Sequence, residues 1–295
     1  MEQLNTDGTH IEPHQAFSKI LSGLTGLENP IQPYFSQPDS VIYNNNCLEI
    51  LSNLPVASID MIFADPPYLL SNNGFTCKNG KMATVNKGKW DRSAGLENNL
   101  EFHNTWISAC RRVLKPEGSL WISGTYHSIY QCGYLIQKNG FHILNDIAWF
   151  KPNAAPNLSC RFFTASHETL LWARRNYSAK HTFNYSDMKN GTFPEDKLKK
   201  SRTQMRSVWS IPTPGPAEKQ YGKHPTQKPL ALLNRIVKAS TKPGDIILDP
   251  FSGTGTSGAA VKNAGSRFYI GIELERQYCE IGRKRLEAAG KPPSA

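Results

Sequence analysis

Asp65-Pro66-Pro67-Tyr68 follows directly on "IDMIFA", Ile59 to Ala64, which is apolar but for Asp60 and predicts a buried strand. Neither proline has an N–H to donate, and each restricts its own backbone and that of the residue before it. The expected result is a stiff corner at the end of a strand. Its carbonyl oxygens accept hydrogen bonds, and the Asp65 carboxylate stands beside them. A corner in which every group accepts suits a ligand bearing an NH2 group. Tyr68 adds a flat face for an aromatic ring. The exocyclic amine of a nucleobase fits that description. Its lone pair is delocalised into the ring, so it is a weak nucleophile. Two acceptors on its hydrogens favour a tetrahedral nitrogen and stabilise the positive charge that develops when a group is transferred to it. A paired base hides this amine, so the base has to be single-stranded or flipped out. The bland reading of the same four residues is a rigid turn.

A second cluster lies near the other end of the chain. "DIILD" predicts a strand, and Gly253, Gly255 and Gly258 follow in G-x-G-x-x-G spacing at the start of a helix. Glu273 ends the next predicted strand, 18 residues after Gly255. Glycines let a backbone approach a ligand closely, and the acid can take ribose hydroxyls. Alone, this pattern serves a nicotinamide dinucleotide equally well, or is a plain tight turn. Asp249 and Pro250, just before the glycines, tilt the choice. A pyrophosphate gains nothing from a carboxylate there, whereas S-adenosylmethionine carries a sulfonium and an ammonium and no phosphate.

These clusters need a scaffold, and the chain reads as one. "LEFHNTWISACRRVLKPEG" has helical spacing and ends on Pro-Glu-Gly. "SLWISG" reads as a strand, "HSIYQCGYLIQKNG" as a helix and "FHILNDIAWFK" as a strand. Strands alternating with helices predict an α/β fold with a mixed, mostly parallel sheet. Residues 1–35 lack periodicity and read as a loose N-terminal arm before a single domain spanning 36–295. Residues 69–100 read as a long loop. From 152 to 224 the chain turns to Pro, Asn, Thr, Lys and isolated aromatics, and part of it reads as a recognition insertion. "HPTQKPLALLNRIVKAST" resumes a helix.

Composition narrows the class. The chain has 295 residues, 39% hydrophobic, with a net charge of +10. Between Arg174 and Lys228 stand 12 Lys/Arg against 4 Asp/Glu, a local +8. Such a block is the footprint of a polyanion, or a solvated surface loop. Lys197, Lys199, Lys200, Arg202 and Arg206 would neutralise phosphate, which positions a protein without reading bases. Arg161, Phe162 and Phe163 are further DNA-contact candidates, with core packing a competing role for the two rings. No apolar run reaches the roughly 18 residues of a membrane span. The six cysteines form no CxxC pair, so no metal site or disulfide framework is signalled. The polar N-terminus is no targeting peptide, and the expectation is a cytoplasmic, nucleoid-associated protein.

"DPPY" with "DPFSGTG" resembles the DNA amino-methyltransferases, and the order is informative. The catalytic tetrapeptide precedes the cofactor loop, with the basic block between them, as in the circularly permuted β group. Within it the chain looks most like the adenine methyltransferases that accompany GATC-cutting restriction systems. "MIFADPPYLLSN", "KGKWD", "VLKPEGSLWISG", "APNLSCRFFT" and "GKHPTQKP" carry that likeness. The resemblance implies a Rossmann-like methyltransferase fold using S-adenosylmethionine, with a target-recognition segment at about 176–222. It implies that Asp65 and the Pro66 carbonyl bind the N6 amine of adenine, with Pro67 stiffening the corner and Tyr68 stacking on the base. Asp249, Phe251, Ser252, Gly253, Thr254 and Gly255 would line the cofactor, and Glu273 would hold its ribose. His224, Thr226 and Lys228 would sit at its methionine end, where a helix N-terminus and a lysine suit a carboxylate. Asn46 stands where the family often has an acid, leaving the adenine contact an amide. DNA is the implied partner, a homodimer is compatible, and a cognate endonuclease belongs to the same system without having to bind.

Four other readings compete. N4-cytosine methylation attacks the same kind of amine, although Asp rather than Ser at 65 leans toward adenine. RNA and protein-glutamine methyltransferases share similar corners but lack the permuted order and basic insertion. A nicotinamide oxidoreductase leaves Asp-Pro-Pro-Tyr unexplained. A DNA-binding protein without catalysis has no support where both sites look complete. Trp90 and Asp91 are candidates to close over the site, while His103 and His127 read as structural residues.

Overall fold

The computed structural model describes residues 12–69, 75–78, 81–84, 91–191, 193, 200 and 202–290, with backbone only for 75–78 and 81–84. In chain order the elements are α1 (Pro13–Thr25), β1 (Phe35–Gln37), β2 (Ser40–Asn44), α2 (Cys47–Asn53), β3 (Ile59–Ala64), β4 (Phe75–Lys78), β5 (Lys81–Thr84) and α3 (Leu96–Val113). Then come β6 (Leu114–Gly124), α4 (Ile129–Lys138), β7 (His142–Phe150), β8 (His167–Arg174), α5 (Tyr185–Asn190) and β9 (Val208–Ser210). The chain closes with α6 (Leu230–Ser240), β10 (Ile246–Asp249), α7 (Thr256–Ala264), β11 (Phe268–Glu273) and α8 (Arg276–Ala288).

Nine strands form one sheet in the order β1-β2-β11-β10-β3-β6-β8-β7-β9. Five consecutive strands, from β2 to β6 in that order, run parallel. β8 is antiparallel to both β6 and β7, and β9 lies parallel to β7 at the edge. β3 shows why its sequence dictates such a place. Met61 and Phe63 join the core on one face, while Ile62 and Ala64 join the core on the other. A strand buried on both faces reads as a continuous apolar run rather than an alternating one. Helices α1 to α4 contribute to the first core. Helices α6, α7 and α8 contribute to the second.

The late strand β10 slots beside the early strand β3, pairing Leu248 with Ile62. From β10 the chain crosses to β11 on one side; from β3 it crosses to β6 on the other. This is the reversal point at which open α/β sheets leave a crevice beyond their carboxyl ends. The Asp65 corner and the glycine loop therefore face each other across it.

Three expectations change. Residues 13–25 are not a loose arm: they form a helix whose Phe17, Ile20 and Leu24 are buried in the core. β6 begins at Leu114, because Pro116 ends α3 without ending regular structure, and the pairing shifts register between Ile59 and Met61. The irregular stretch after 152 contains β8, an interior strand whose Trp172 stacks on Trp121 with ring centres 4.9 Å apart. Single polar residues around it masked the run Leu170 to Ala173.

Gly258 shows how tightly α7 lies on the sheet. A Cβ there would come within 2.6 Å of the Tyr269 ring and 2.7 Å of Leu286. Gly258→Ala is expected to cost about 1–3 kcal/mol through overpacking, read as a lower denaturant midpoint at unchanged slope. A midpoint equal to that of the unmodified protein would show that the helix is free to shift.

Candidate active site

All the candidate catalytic and cofactor residues except Gly255 line one cavity in this crevice. Gly255 shapes the turn instead. It takes φ +69°, and a Cβ on it would lie 3.1 Å from Cα of Gly282. Gly253 also takes the left-handed conformation, at φ +52°. The loop is held at its outer end by Glu273, which accepts from the backbone N–H of Gly253 and of Glu275 at 2.8 Å each. Burial raises the Glu273 carboxyl, and these two N–H groups pull the other way. Phe251 sets its ring edge-on to Trp106, 5.4 Å between centres.

Asp249 is 2% exposed. One carboxylate oxygen accepts from the Phe251 N–H at 3.0 Å, and the other from the Ser257 hydroxyl. Burial pushes its pKa up to about 7 against these two donors, with Asp65 and Glu273 adding to the rise. His224 caps a local turn, accepting from the Thr226 N–H at 3.2 Å, with its ring against Tyr278. Asn46 is the N-cap of α2: its side-chain oxygen accepts from the Leu48 N–H at 2.9 Å. That oxygen is therefore half engaged: one lone pair is left to accept from a ligand, and the amide NH2 can only donate.

The Asp65 corner departs from the acceptor-only expectation. Asp65 Oδ1 accepts from the Tyr68 hydroxyl at 2.7 Å, and Oδ2 from the Lys228 ammonium at 2.5 Å. Lys228 is thus turned to Asp65 rather than left open to an anion. Its side chain is 4% exposed, and it lies 3.5 Å from Glu168 as well. Tyr68 is also buried, its hydroxyl 2.9 Å from Glu168 and 3.1 Å from Ser123, so its ring is an edge of the cavity more than an open platform. Lys151 completes the group, 3.1 Å from the second Glu168 oxygen. Two carboxylates and two ammonium groups thus balance in a buried cluster. Asp91, fully buried, accepts from the Leu69 N–H at 2.7 Å and holds the corner's far end, where Leu69 takes φ +60°. Trp90 lies outside the described residues.

The charges explain the titration. Burial raises Asp65, opposed by Lys228 and helped by Glu168. Burial would raise Glu168 too, but Lys228 and Lys151 outweigh it and hold the acid at about 2. Burial works against the Lys228 ammonium, yet the two carboxylates hold its pKa above the usual lysine value. Glu168 is the residue the motifs do not reveal. Its one available signal was the apolar run that follows it, which predicts a strand and so places Glu168 at a strand end.

Arg161, Lys200, Arg202 and Arg206 are exposed and stand outside the cavity; Lys197 and Lys199 lie outside the described residues. Phe162 and Phe163 are 70% and 98% exposed, which overturns the core-packing role. His103 is buried, accepts from the Trp106 indole at 3.1 Å, and is lowered by burial to about 4, as a structural histidine should be.

A family model described as DNA methylase matches residues 59–284. The type II methyltransferase M2.DpnII of Streptococcus pneumoniae is 48% identical over 258 residues, covering 87% of this chain and 93% of that protein. M2.MboI of Moraxella bovis is 47% identical over 257 residues, covering 86% and 91%. Among solved structures, an M1.HpyAVI–SAM complex aligns with a TM-score of 0.60 at 31% identity, covering 84% of this chain and 98% of that one. The PvuII cytosine-N4-specific DNA methyltransferase aligns with a TM-score of 0.65 at 19% identity, covering 86% and 88%, a likeness of fold.

Proposed function

The chain belongs to the DNA methylase family, and from that premise we propose that it methylates N6 of adenine within a GATC-type site, as the modification enzyme of a restriction-modification system. The observation that carries the reading is the corner itself. Asp65 and the Pro66 backbone border the same cavity as Asp249, Gly253 and Glu273, so an amine held by the first set faces a ligand held by the second.

S-adenosylmethionine, the cofactor of this family, supplies a methyl group on a sulfonium. The residues present fit it. Two buried carboxyls, Asp249 and Glu273, both raised by burial, line the cavity with a left-handed glycine turn and the Phe251 ring. Such a set welcomes cations and hydroxyls and repels a pyrophosphate. Glu273 would accept from the ribose hydroxyls, and Asp249 would face the cationic portion. Asp65 and the Pro66 carbonyl would accept from the target amine, drawing its lone pair out of the ring and stabilising the charge that develops on nitrogen. Holding the amine in line contributes through orientation. The exposed Arg161, Lys200, Arg202 and Arg206 would sit on phosphate. The recognition segment is assigned to about 176–222. A homodimer and a cognate endonuclease remain part of the proposal, neither being required by the chemistry.

The test is nucleoside analysis of genomic DNA from a methylation-free host expressing the protein, beside Asp65→Ala. N6-methyladenine that disappears in the variant supports the proposal. N4-methylcytosine would keep the mechanism and overturn the base.

Two further outcomes follow from the cofactor end. Removing the Glu273 carboxylate in Glu273→Ala also frees the Gly253 and Glu275 N–H groups it holds. Cofactor affinity is expected to fall about tenfold or more, since a buried group left unpaired costs ~1–3 kcal/mol. Equal affinity by calorimetry would remove Glu273 from the site. Asp249 sets a pH dependence. With a free-protein pKa of about 7 it is mostly protonated at lower pH, and a cationic ligand requires the ionised form. Cofactor affinity should therefore rise with pH through about 7, with proton release on binding. Affinity flat or falling between pH 6 and pH 8, after allowing for the ligand's own titration, would count against Asp249 as a cation contact.

A further inference from the structure

We propose that Phe162 and Phe163, on the loop joining β7 to β8, form an aromatic platform on which nucleobases of the bound DNA stack. The proposal rests on the DNA methyltransferase reading above. It gives the two rings, beside the phosphate-facing Arg161, a specific role that the reading above does not assign.

Both rings are largely in solvent, at 70% and 98% exposure, with Leu158 beside them in sequence at 40%. Adjacent exposed apolar side chains mark interaction sites more often than scattered single ones do. Here the exposure is built in. Asn157 organises the loop from within: its side-chain oxygen accepts from the Ser159 N–H at 3.1 Å and hydroxyl at 2.8 Å. Its amide donates to the Phe162 carbonyl at 2.7 Å. Its own N–H donates to the Thr164 hydroxyl at 3.3 Å. Cys160 accepts a left-handed conformation, φ +52°, to complete the turn. At the loop's base the Lys151 N–H donates to the Ser166 carbonyl at 2.7 Å. Asn153 and Thr213 exchange two hydrogen bonds at 3.0 Å each, tying the loop to the chain after β9. The backbone is committed, and the two rings are left outside.

The register places this loop beside the reaction. Phe150 pairs with His167 where β7 hands over to β8, and Gly124 pairs with Thr169 at the carboxyl end of β6. Between those positions stands Glu168, whose carboxylate reaches the Tyr68 hydroxyl at 2.9 Å. The loop thus rises from the same sheet edge as the Asp65 corner. DNA that delivers an amine to Asp65 has to pass this rim.

The chemistry selects the partner. Phenyl rings offer π-faces and no hydrogen-bonding group, so they contact any base without reading it. Arg161, exposed immediately before them, adds a charge suited to phosphate. Stacking platforms flanked by cations are the recurrent solution for unpaired nucleic acid. A neutral apolar protein surface would gain nothing from Arg161 or from the net charge of +10.

The test uses the full-length chain with cofactor bound. Affinity for a site-containing oligonucleotide, single-stranded and duplex, is measured across a salt series for wild type, F162A/F163A, F162Y/F163Y and R161A. The double alanine variant is expected to lose about tenfold or more at every salt concentration, with the slope of log affinity against log salt unchanged. F162Y/F163Y should bind like wild type, because tyrosine keeps the ring face. R161A should flatten the slope by about one phosphate. Binding by F162A/F163A within twofold of wild type overturns the platform while leaving the methyltransferase reading intact. A wild type that binds no DNA overturns both. Should the alanine pair also lose cofactor binding through misfolding, Phe163→Trp decides: quenching of the added indole on DNA binding supports stacking, and unchanged emission overturns it.

Discussion

Asp65→Asn should lower the single-turnover rate of methyl transfer by about 10²–10³-fold, the range found when one preorganised polar contact to a transition-state charge is removed. The amide has nearly the carboxylate's shape but no negative charge. It can still accept one hydrogen bond from the target amine. What it lacks is the field that stabilises a nitrogen becoming cationic. The effect should therefore fall on the chemical step, with cofactor affinity retained, because Asp249 and Glu273 sit on other strands. Lys228 stays near the Glu168 carboxylate, 3.5 Å away, so the cluster does not fall apart. A rate within tenfold of wild type would show that the Pro66 carbonyl and positioning do the work, and that the charge at 65 is dispensable.

Lys228→Met should be the most destabilising substitution in the cavity. The ammonium stands 2.5 Å from Asp65 and 3.5 Å from Glu168. Removing it leaves two buried carboxylates facing each other, joined by the Tyr68 hydroxyl, with Lys151 the remaining cation against Glu168 among the described residues. Breaking a buried pair by deleting one partner typically costs ~3–5 kcal/mol. The protein can relieve part of that cost by taking up a proton. Without the ammonium the Asp65 pKa, already raised by burial, rises further. A carboxyl whose folded-state pKa exceeds its unfolded value contributes stability below the folded value and loses it as pH rises. The deficit of Lys228→Met relative to wild type should accordingly grow from mildly acidic toward alkaline pH. Denaturant midpoints across pH 5 to 8.5 measure it. A deficit independent of pH would mean that lost packing, not unpaired charge, is responsible. Methyl transfer should fall as well, since a protonated Asp65 no longer presents a full charge to the amine.

Local chemistry made much of this protein readable. The prolines at 66 and 67 and the glycines at 253, 255 and 258 constrain the backbone wherever they stand. Their corner and loop therefore followed from residue type and spacing. The stretches 59–64 and 246–248 read as strands, and because each motif follows its strand directly, both stood at carboxyl ends. Even the preference for a cationic cofactor was legible, in the carboxylate of Asp249 ahead of the glycines.

Most of what escaped depended on partners far apart in sequence. Residues 13–25 do carry Phe17, Ile20, Leu21 and Leu24 at helical spacing, a signal that reading 1–35 as aperiodic passed over, and the core confirms it by burying three of them. β8 was obscured because an interior strand that pairs antiparallel in an otherwise parallel region carries polar residues at its end, and one of them, Glu168, joins the buried charge cluster. The roles of Lys228 and Glu168 belong entirely to the fold. A lysine after "HPTQ" reads as an anion ligand, and a glutamate before an apolar run reads as a strand end. Only the sheet order, which sets β8 next to β6 and β6 next to β3, brings both within reach of Asp65. Residue types and spacing decided which chemistry the chain can perform. The tertiary structure decided which cation opposes the burial of the central carboxylate, because charge balance in a low-dielectric site is set by neighbours in space.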